Sequence, residues 1–192
     1  RVGGAGPDLV RGDTDNWRTT AAQTQRDEAR AAGAVPLLAD EHDQVLAMAA
    51  VLREHPIAGR LFDPATGQPE RSLFWHDDEF GVWRRARLDW LPEARNGRLI
   101  VADYKTTKSA NPVSLSKAMS DFGYYQQAAW YLDAVEALGL AGDAAVFFVL
   151  VFQEKTAPYL ITICQPDPMA FKWGRMRNRK ALDVYRHCQA TG

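Results

Sequence analysis

Cysteine is nearly absent: Cys164 and Cys188 stand far apart in a chain of 192 residues. Two distant thiols make no metal-ligand spacing and argue against a disulfide framework or a four-cysteine iron–sulfur cluster, so a reduced, cytoplasmic setting fits. No run of 18 apolar residues occurs, and Arg1 does not open a charged segment followed by an apolar one. Neither a membrane span nor a signal peptide is therefore expected. An excess of basic charge is missing as well, with 23 Lys and Arg against 24 Asp and Glu. A general nucleic-acid-coating protein is excluded by that balance, and any DNA contact must come from a local basic channel. Internal repeats, low-complexity stretches and a linker that would divide the chain are also lacking. What remains is one domain, residues 1–192, long enough for a sizeable core and with the 46% hydrophobic content of an ordinary globule.

Against that plain background, Leu99-Ile-Val-Ala-Asp-Tyr-Lys-Thr-Thr107 stands out. The apolar start reads as a buried strand, in which residues two apart share a face. Asp103 and Lys105 thus leave one side together, while Tyr104 points to the other. Buried charge is costly unless paired or bound to metal. Upstream, Gly81 to Leu91 alternates as a second strand ending at Pro92, and Asn96-Gly97 is a strong hairpin turn. Register decides what this hairpin can do. A two-residue turn alone would set Asp89 opposite Tyr104, with the two acids on different faces. An odd loop or a single bulge sets Asp89 opposite Asp103, and bulges re-aim side chains beside active sites. The spacing therefore predicts a bulge or odd loop, with two carboxylates and a lysine at one end of the hairpin. Such oxygen ligands suit Mg2+, and a lysine beside them can orient water and neutralise developing charge. On spacing alone, an ordinary salt bridge on a half-exposed hairpin is an equal alternative.

A long helical pattern follows, in which Gln127 and Tyr131 lie four apart on one face. With these residues in place, the chain resembles the PD-(D/E)XK nucleases of the RecB-like branch. The resemblance is carried by Asp89, the Asp103-Tyr104-Lys105 triplet, the Gln127-Ala-Ala-Trp-Tyr131 helix, Glu70 and the Val151-Phe-Gln-Glu-Lys155 strand. It is strongest toward the phage and prophage RecE-type (exonuclease VIII) group, whose core is also similar to λ exonuclease. It runs from about Trp17 to Arg186. The resemblance implies a restriction-endonuclease-like α/β core, a central mixed five-stranded sheet flanked by helices. It implies a metal shell of Asp89, Asp103, Glu70 and the Tyr104 carbonyl, with Mg2+ as cofactor and Mn2+ able to substitute. Lys105 would serve the nucleophilic water, with Gln127 and Tyr131 in support. It also implies 5'→3' digestion of linear duplex ends, a ring-shaped homo-oligomer, a single-strand annealing partner and a role in phage-type recombination in a bacterial host. The family usually carries a His on a helix before the first strand. No residue here matches it, and Arg1-Val-Gly-Gly reads like the segment that follows that helix. His42 and His55 read as solvated or packing residues.

The remaining pattern supplies the scaffold. Residues 1–13 read as an irregular arm, and a helix over 14–32 is expected to be capped by Asp15 and stopped by Gly33. A second helix begins at Asp40 and ends before His55-Pro56, with a short helix through Leu61-Phe62. Strands are expected over 68–75, 143–152 and 158–165, and helices over 114–138 and 168–189. Asp77, Asp78 and Glu79 read as solvated acids in a turn, and the tail cluster Lys172, Arg175, Arg177, Arg179 and Lys180 as a solvated helix face. Arg84, Arg85 and Arg87 precede Asp89, and Thr106, Thr107 and Lys108 follow Lys105. Of these, Arg85, Arg87, Thr106, Thr107 and Lys108 are the expected phosphate contacts, although a plain connecting loop explains the last three equally well. Three functions fit: a metal-dependent exonuclease, an endonuclease or nickase on the same core, and a non-catalytic DNA-binding subunit. The intact acid–acid–lysine set argues against the third.

Overall fold

The computed structural model describes residues 7–192. Its centre is a five-stranded sheet in sequential order, built from β3 (Gly67–Asp77), β4 (Val82–Pro92), β5 (Arg98–Thr107), β6 (Ala145–Glu154) and β7 (Ile161–Cys164). All neighbours pair antiparallel except β5 and β6, which run parallel. A parallel pair requires a crossover. Here it is made by α4 (Pro112–Asp121) and α5 (Tyr124–Ala137). The mixed α/β architecture expected from the sequence is the one observed.

Strand character follows the residue pattern. On β4, buried Val82, Arg84, Ala86 and Leu88 alternate with exposed Trp83, Arg85 and Arg87, the signature of a hairpin with one wet face. The centres of β5 and β6 are buried with little alternation, because helices cover both sides. Over one side, Ala128, Ala134 and Val135 of α5 pack on Val101, Phe148 and Leu150. Over the other, Leu52 of α2 (Ala39–Glu54) and Ala58 of α3 (Ala58–Leu61), with the adjoining Phe62, cover Trp90, Ala102 and Val151. Outside α5 lies α6 (Pro168–Thr191).

Several expectations need correcting. Leu9–Arg11 of the supposed arm forms β1, pairing in parallel with β2 (Val35–Leu37); the Arg1-Val-Gly-Gly segment lies outside the described residues. The first helix is α1 (Thr20–Ala31), and Thr19 caps it in place of Asp15, its side chain accepting from the Ala22 N–H. At α2 the Leu38 N–H donates to Glu41, and Asp40 lies inside the first turn. The expected helix over 114–138 is two helices, broken where Gly123 adopts φ 66. That left-handed backbone is open to glycine at little cost, and the break lets α5 start afresh over the sheet. Asp77 and Glu79 are not free solvated acids, since they pair with Arg84 and Arg179. In the tail cluster Arg175 and Arg179 likewise have partners, Asp133 and Glu79. His42 pairs with Asp43, and His55 Nδ1 accepts from the Ile57 and Ala58 N–H groups.

Candidate active site

The site originates in one extra residue. At the turn, Arg95 pairs with Arg98 around Asn96 and Gly97, both at positive φ, a two-residue hairpin. Further along, Trp90 pairs with Ala102. Between these two pairs β4 contributes residues 91–94 and β5 only 99–101, so β4 carries a one-residue bulge. Pro92 explains its place, because it has no N–H for the ladder. The Glu93 N–H turns away to the Thr66 carbonyl. Continuing the shifted register by one residue sets Asp89 opposite Asp103, as the bulge reading predicts.

Asp103 is the centre of the cluster, 1% exposed in the middle of the sheet. Its Oδ1 accepts from Gln127 Nε2 at 3.1 Å, and the same amide lies 2.9 Å from the Tyr131 hydroxyl. Its Oδ2 is in ionic contact with Lys105 Nζ but has no hydrogen bond of ordinary geometry. Asp89 Oδ2 accepts from the Tyr104 N–H at 3.1 Å. Burial pushes the Asp103 carboxyl up to about 6; Lys105 opposes that rise and the Asp89 carboxylate adds to it. Two acids and one ammonium leave negative charge concentrated in a dry place.

Lys105 is held from beneath by aromatic rings. Its Nζ lies 5.3 Å from the Tyr124 ring centroid, and Tyr124 packs on Phe152 and stacks with Phe122. The Tyr131 hydroxyl faces the acids. Burial raises its pKa most, Gln127 lowers it, and Asp103, Asp89 and Glu70 raise it further. Glu70 is thus the third carboxylate acting at this point. The flanking pairs Pro69–Trp90 and Arg71–Leu88 place it opposite Asp89. Its φ of 54 interrupts the ladder there, and its carboxylate lies 2.5 Å from Arg87.

Among the described residues, no three His, Cys, Asp or Glu side chains are close enough to hold an ion as they stand. A divalent cation would take Asp89, Asp103 and a backbone oxygen such as the Tyr104 carbonyl, with Glu70 released from Arg87. The donor set fits: hard oxygens, and a buried Oδ2 without a well-aligned donor. Tyr104 could contribute only through its backbone. Its side chain is on the opposite face, where the hydroxyl donates to Gln153 at 2.6 Å and burial pushes its pKa up to about 12.

The expected phosphate contacts divide. Arg85, Arg87, Thr106 and Lys108 are exposed, but strand alternation puts Thr106 on the face opposite Lys105. The Thr107 hydroxyl donates to the Ser109 carbonyl and accepts from its N–H, so the loop itself uses it. Arg84 does not face solvent at all. It is buried between the Trp75 and Trp130 rings, 4.7 and 3.8 Å from their centroids, and bonded to Asp77 and Asp133. Gln153 escaped the sequence reading as a supporting residue. It is wholly buried, accepting from Tyr104 and donating to the Met48 carbonyl at 3.0 Å; a lone amide ending the apolar run of β6 was the available signal. A 590 Å3 cavity lined by Arg60, Asp63, Pro92, Glu93 and Arg95 lies at the Asn96-Gly97 turn, away from the acids.

Residues 17–192 match the family described as "PDDEXK-like domain of unknown function (DUF3799)". The chain belongs to this family. The crystal structure of a protein from Eubacterium rectale named "Putative exonuclease" is similar to the PDDEXK-like domain with a TM-score of 0.56 and 11% identity. The match covers 87% of this chain and 62% of that one, so the domain spans less than two thirds of that protein. At such identity the likeness concerns the fold. A second crystal structure, SSO0001, matches with a TM-score of 0.39 and 15% identity over 72% of this chain and 58% of that one, too distant to bear on the argument. No curated protein matches significantly. The family match and the fold together place this chain among PDDEXK-like domains.

Proposed function

We propose that this chain is a metal-dependent DNA exonuclease, removing nucleotides from one strand at a duplex end. The observation that carries the reading is the pairing of Asp89 with Asp103 beside Lys105, produced by the bulge at Pro92. Mg2+, or Mn2+ in its place, held by Asp89, Asp103, the Tyr104 carbonyl and Glu70, would supply charge neutralisation and a more acidic water. The chain's own residues do the rest. Lys105 orients the attacking water and offsets charge at the phosphate as the water oxygen bonds to phosphorus and the bond to the departing sugar oxygen breaks. Gln127 fixes the Asp103 carboxylate and ties it to Tyr131, so that the acid keeps one orientation. Arg85, Arg87 and Lys108 grip backbone phosphates. The RecE-type resemblance extends the proposal to 5'→3' polarity, a ring-shaped oligomer and partnership with a single-strand annealing protein in phage-type recombination.

The test is digestion of end-labelled linear duplex and of closed circular DNA, with and without Mg2+. Wild type is expected to release nucleotides from the linear form only, and only with metal. Asp103→Ala and Lys105→Ala are each expected to abolish release while far-ultraviolet circular dichroism stays native. Undiminished digestion by either variant rejects the site, and cleavage of closed circles replaces exonuclease with endonuclease.

A further inference from the structure

From the acid cluster a run of rings leads to the surface, and the outermost ring has no task in the hydrolytic site. The Asp103 side chain is 1% exposed and the Lys105 side chain beside it 18%. Lys105 Nζ lies 5.3 Å from the Tyr124 ring centroid, and the Phe122 ring stacks on Tyr124 with centroids 5.7 Å apart and planes 30° from parallel. Phe122 itself is 72% exposed, and Tyr124 is its one ring contact among the described residues. Single exposed apolar side chains are ordinary; Phe122 differs in where it is held. Its N–H donates to the Ala118 carbonyl at the end of α4, and Gly123 follows in left-handed backbone before α5 begins. This junction fixes the ring at the rim of the site. The contacts that join it to the acids lie on the α5 face of the sheet, where Gln127 reaches Asp103.

We propose that Phe122 is a base-stacking subsite for the terminal nucleotide: the base of the nucleotide being released lies on the open face of the ring while the scissile phosphate next to it faces Lys105. Continuity names the occupant, because a group resting on Phe122 is held beside the lysine that serves the phosphate. An aromatic face takes any base, so the subsite adds affinity without sequence preference. It also selects ends. A base inside a duplex gives up stacking on both sides to reach the ring, and a terminal base on one side only, so extrusion costs least at an end. The assignment of a nucleotide as occupant rests on the nuclease reading.

The test is fluorescence anisotropy of a short labelled duplex in EDTA, so that no hydrolysis intervenes, with intact ends or with terminal nucleotides that lack their bases. Phe122→Ala is expected to weaken binding of the intact duplex by about tenfold, with native circular dichroism. The slope of log affinity against log salt is expected to stay unchanged, since no phosphate contact is lost. Phe122→Tyr is expected to retain most of the affinity, and Phe122→Leu, apolar but not planar, to lose most of it. Wild type is expected to bind base-free ends as weakly as Phe122→Ala binds intact ones, and Phe122→Ala to bind both duplexes alike. A ring that only props Tyr124 and Lys105 would, on removal, lower affinity equally for both duplexes, and that result overturns the subsite. So does wild-type affinity in Phe122→Ala, and so does wild type that treats the two duplexes alike, whether it binds both or neither. The two readings fail separately. Base-dependent binding through Phe122 without hydrolysis of any DNA in Mg2+ removes the nuclease and leaves the subsite, while Mg2+-dependent hydrolysis with no such binding removes the subsite alone.

Discussion

At the scale of single residues, Asp103 is where stability and chemistry oppose each other. Its carboxyl is pushed up to about 6 by burial, above the ordinary 3.8. The metal-free folded state therefore binds a proton more tightly than the unfolded chain does. The charged form costs stability above about pH 6, and that cost fades as pH falls toward 4. In EDTA, lowering pH from 7 to 5 is expected to change Tm more favourably for wild type than for Asp103→Asn, which has no proton to gain. Parallel Tm–pH profiles for the two proteins would count against the buried charge. Gln127 is a positioning residue, since it donates to Asp103 Oδ1 and lies within bonding distance of Tyr131. Gln127→Ala is expected to weaken Mg2+ binding by about 10- to 100-fold, read by titration calorimetry. Unaltered affinity would mean that Asp103 needs no outer support.

At the scale of elements, the one-residue bulge in β4 determines whether two acids meet. Pro92→Val gives β4 back an N–H for the ladder and is expected to restore an unbroken two-residue hairpin at unchanged length, with Asp89 opposite Tyr104. The variant should keep its sheet by circular dichroism and lose metal-dependent hydrolysis. Retained hydrolysis would show that register does not control the site. Helix packing supplies a second control. A side chain at Gly174 of α6 would place its Cβ 2.4 Å from the Tyr125 carbonyl and 2.9 Å from the Ala129 Cβ of α5. Gly174→Val is expected to cost about 2–3 kcal/mol, lowering Tm by roughly 4–12 °C in a domain of this size. Because α5 carries Gln127 and Tyr131, scanning calorimetry should be paired with a Mg2+ titration, which is expected to weaken in parallel.

At the scale of the whole molecule, Arg84 ties the distant parts of the fold together. It bonds Asp77 at the end of β3 and Asp133 on α5, and Asp133 in turn accepts from Arg175 on α6 at 2.8 Å. Its guanidinium packs on the Trp75 and Trp130 rings, an arrangement suited to a flat, weakly hydrated cation. Replacing it with methionine keeps much of the volume and leaves two part-buried acids short of a partner. Arg84→Met is expected to lower stability by about 3 kcal/mol in urea denaturation, with β3, β4, α5 and α6 losing protection together in hydrogen exchange. Unchanged stability would make the cluster incidental.

How much of this was legible in the chain depends on how local each cause is. Alternation along 82–88, the apolar run before Asp103 and the i, i+4 pair Gln127 and Tyr131 are short-range patterns, and they were enough for the five strands, the hairpin and the members of the acid cluster. The slip was open to inference as either an odd loop or a bulge, because only a shifted register sets Asp89 opposite Asp103 and bulges re-aim side chains beside active sites. Arg84 stood in the sequence only as a member of a basic group with its exposed neighbours Arg85 and Arg87. Its burial comes from Trp130 and Asp133, nearly fifty residues away. The helix break at Gly123, the strand formed by Leu9–Arg11 and the partners of the acidic turn have the same origin. The sequence by itself determined which groups can ionise, which strands alternate and which turn joins β4 to β5. Only tertiary structure decided which charges are buried or paired, because desolvation and ion pairing depend on residues that the folded chain, not its order, makes neighbours.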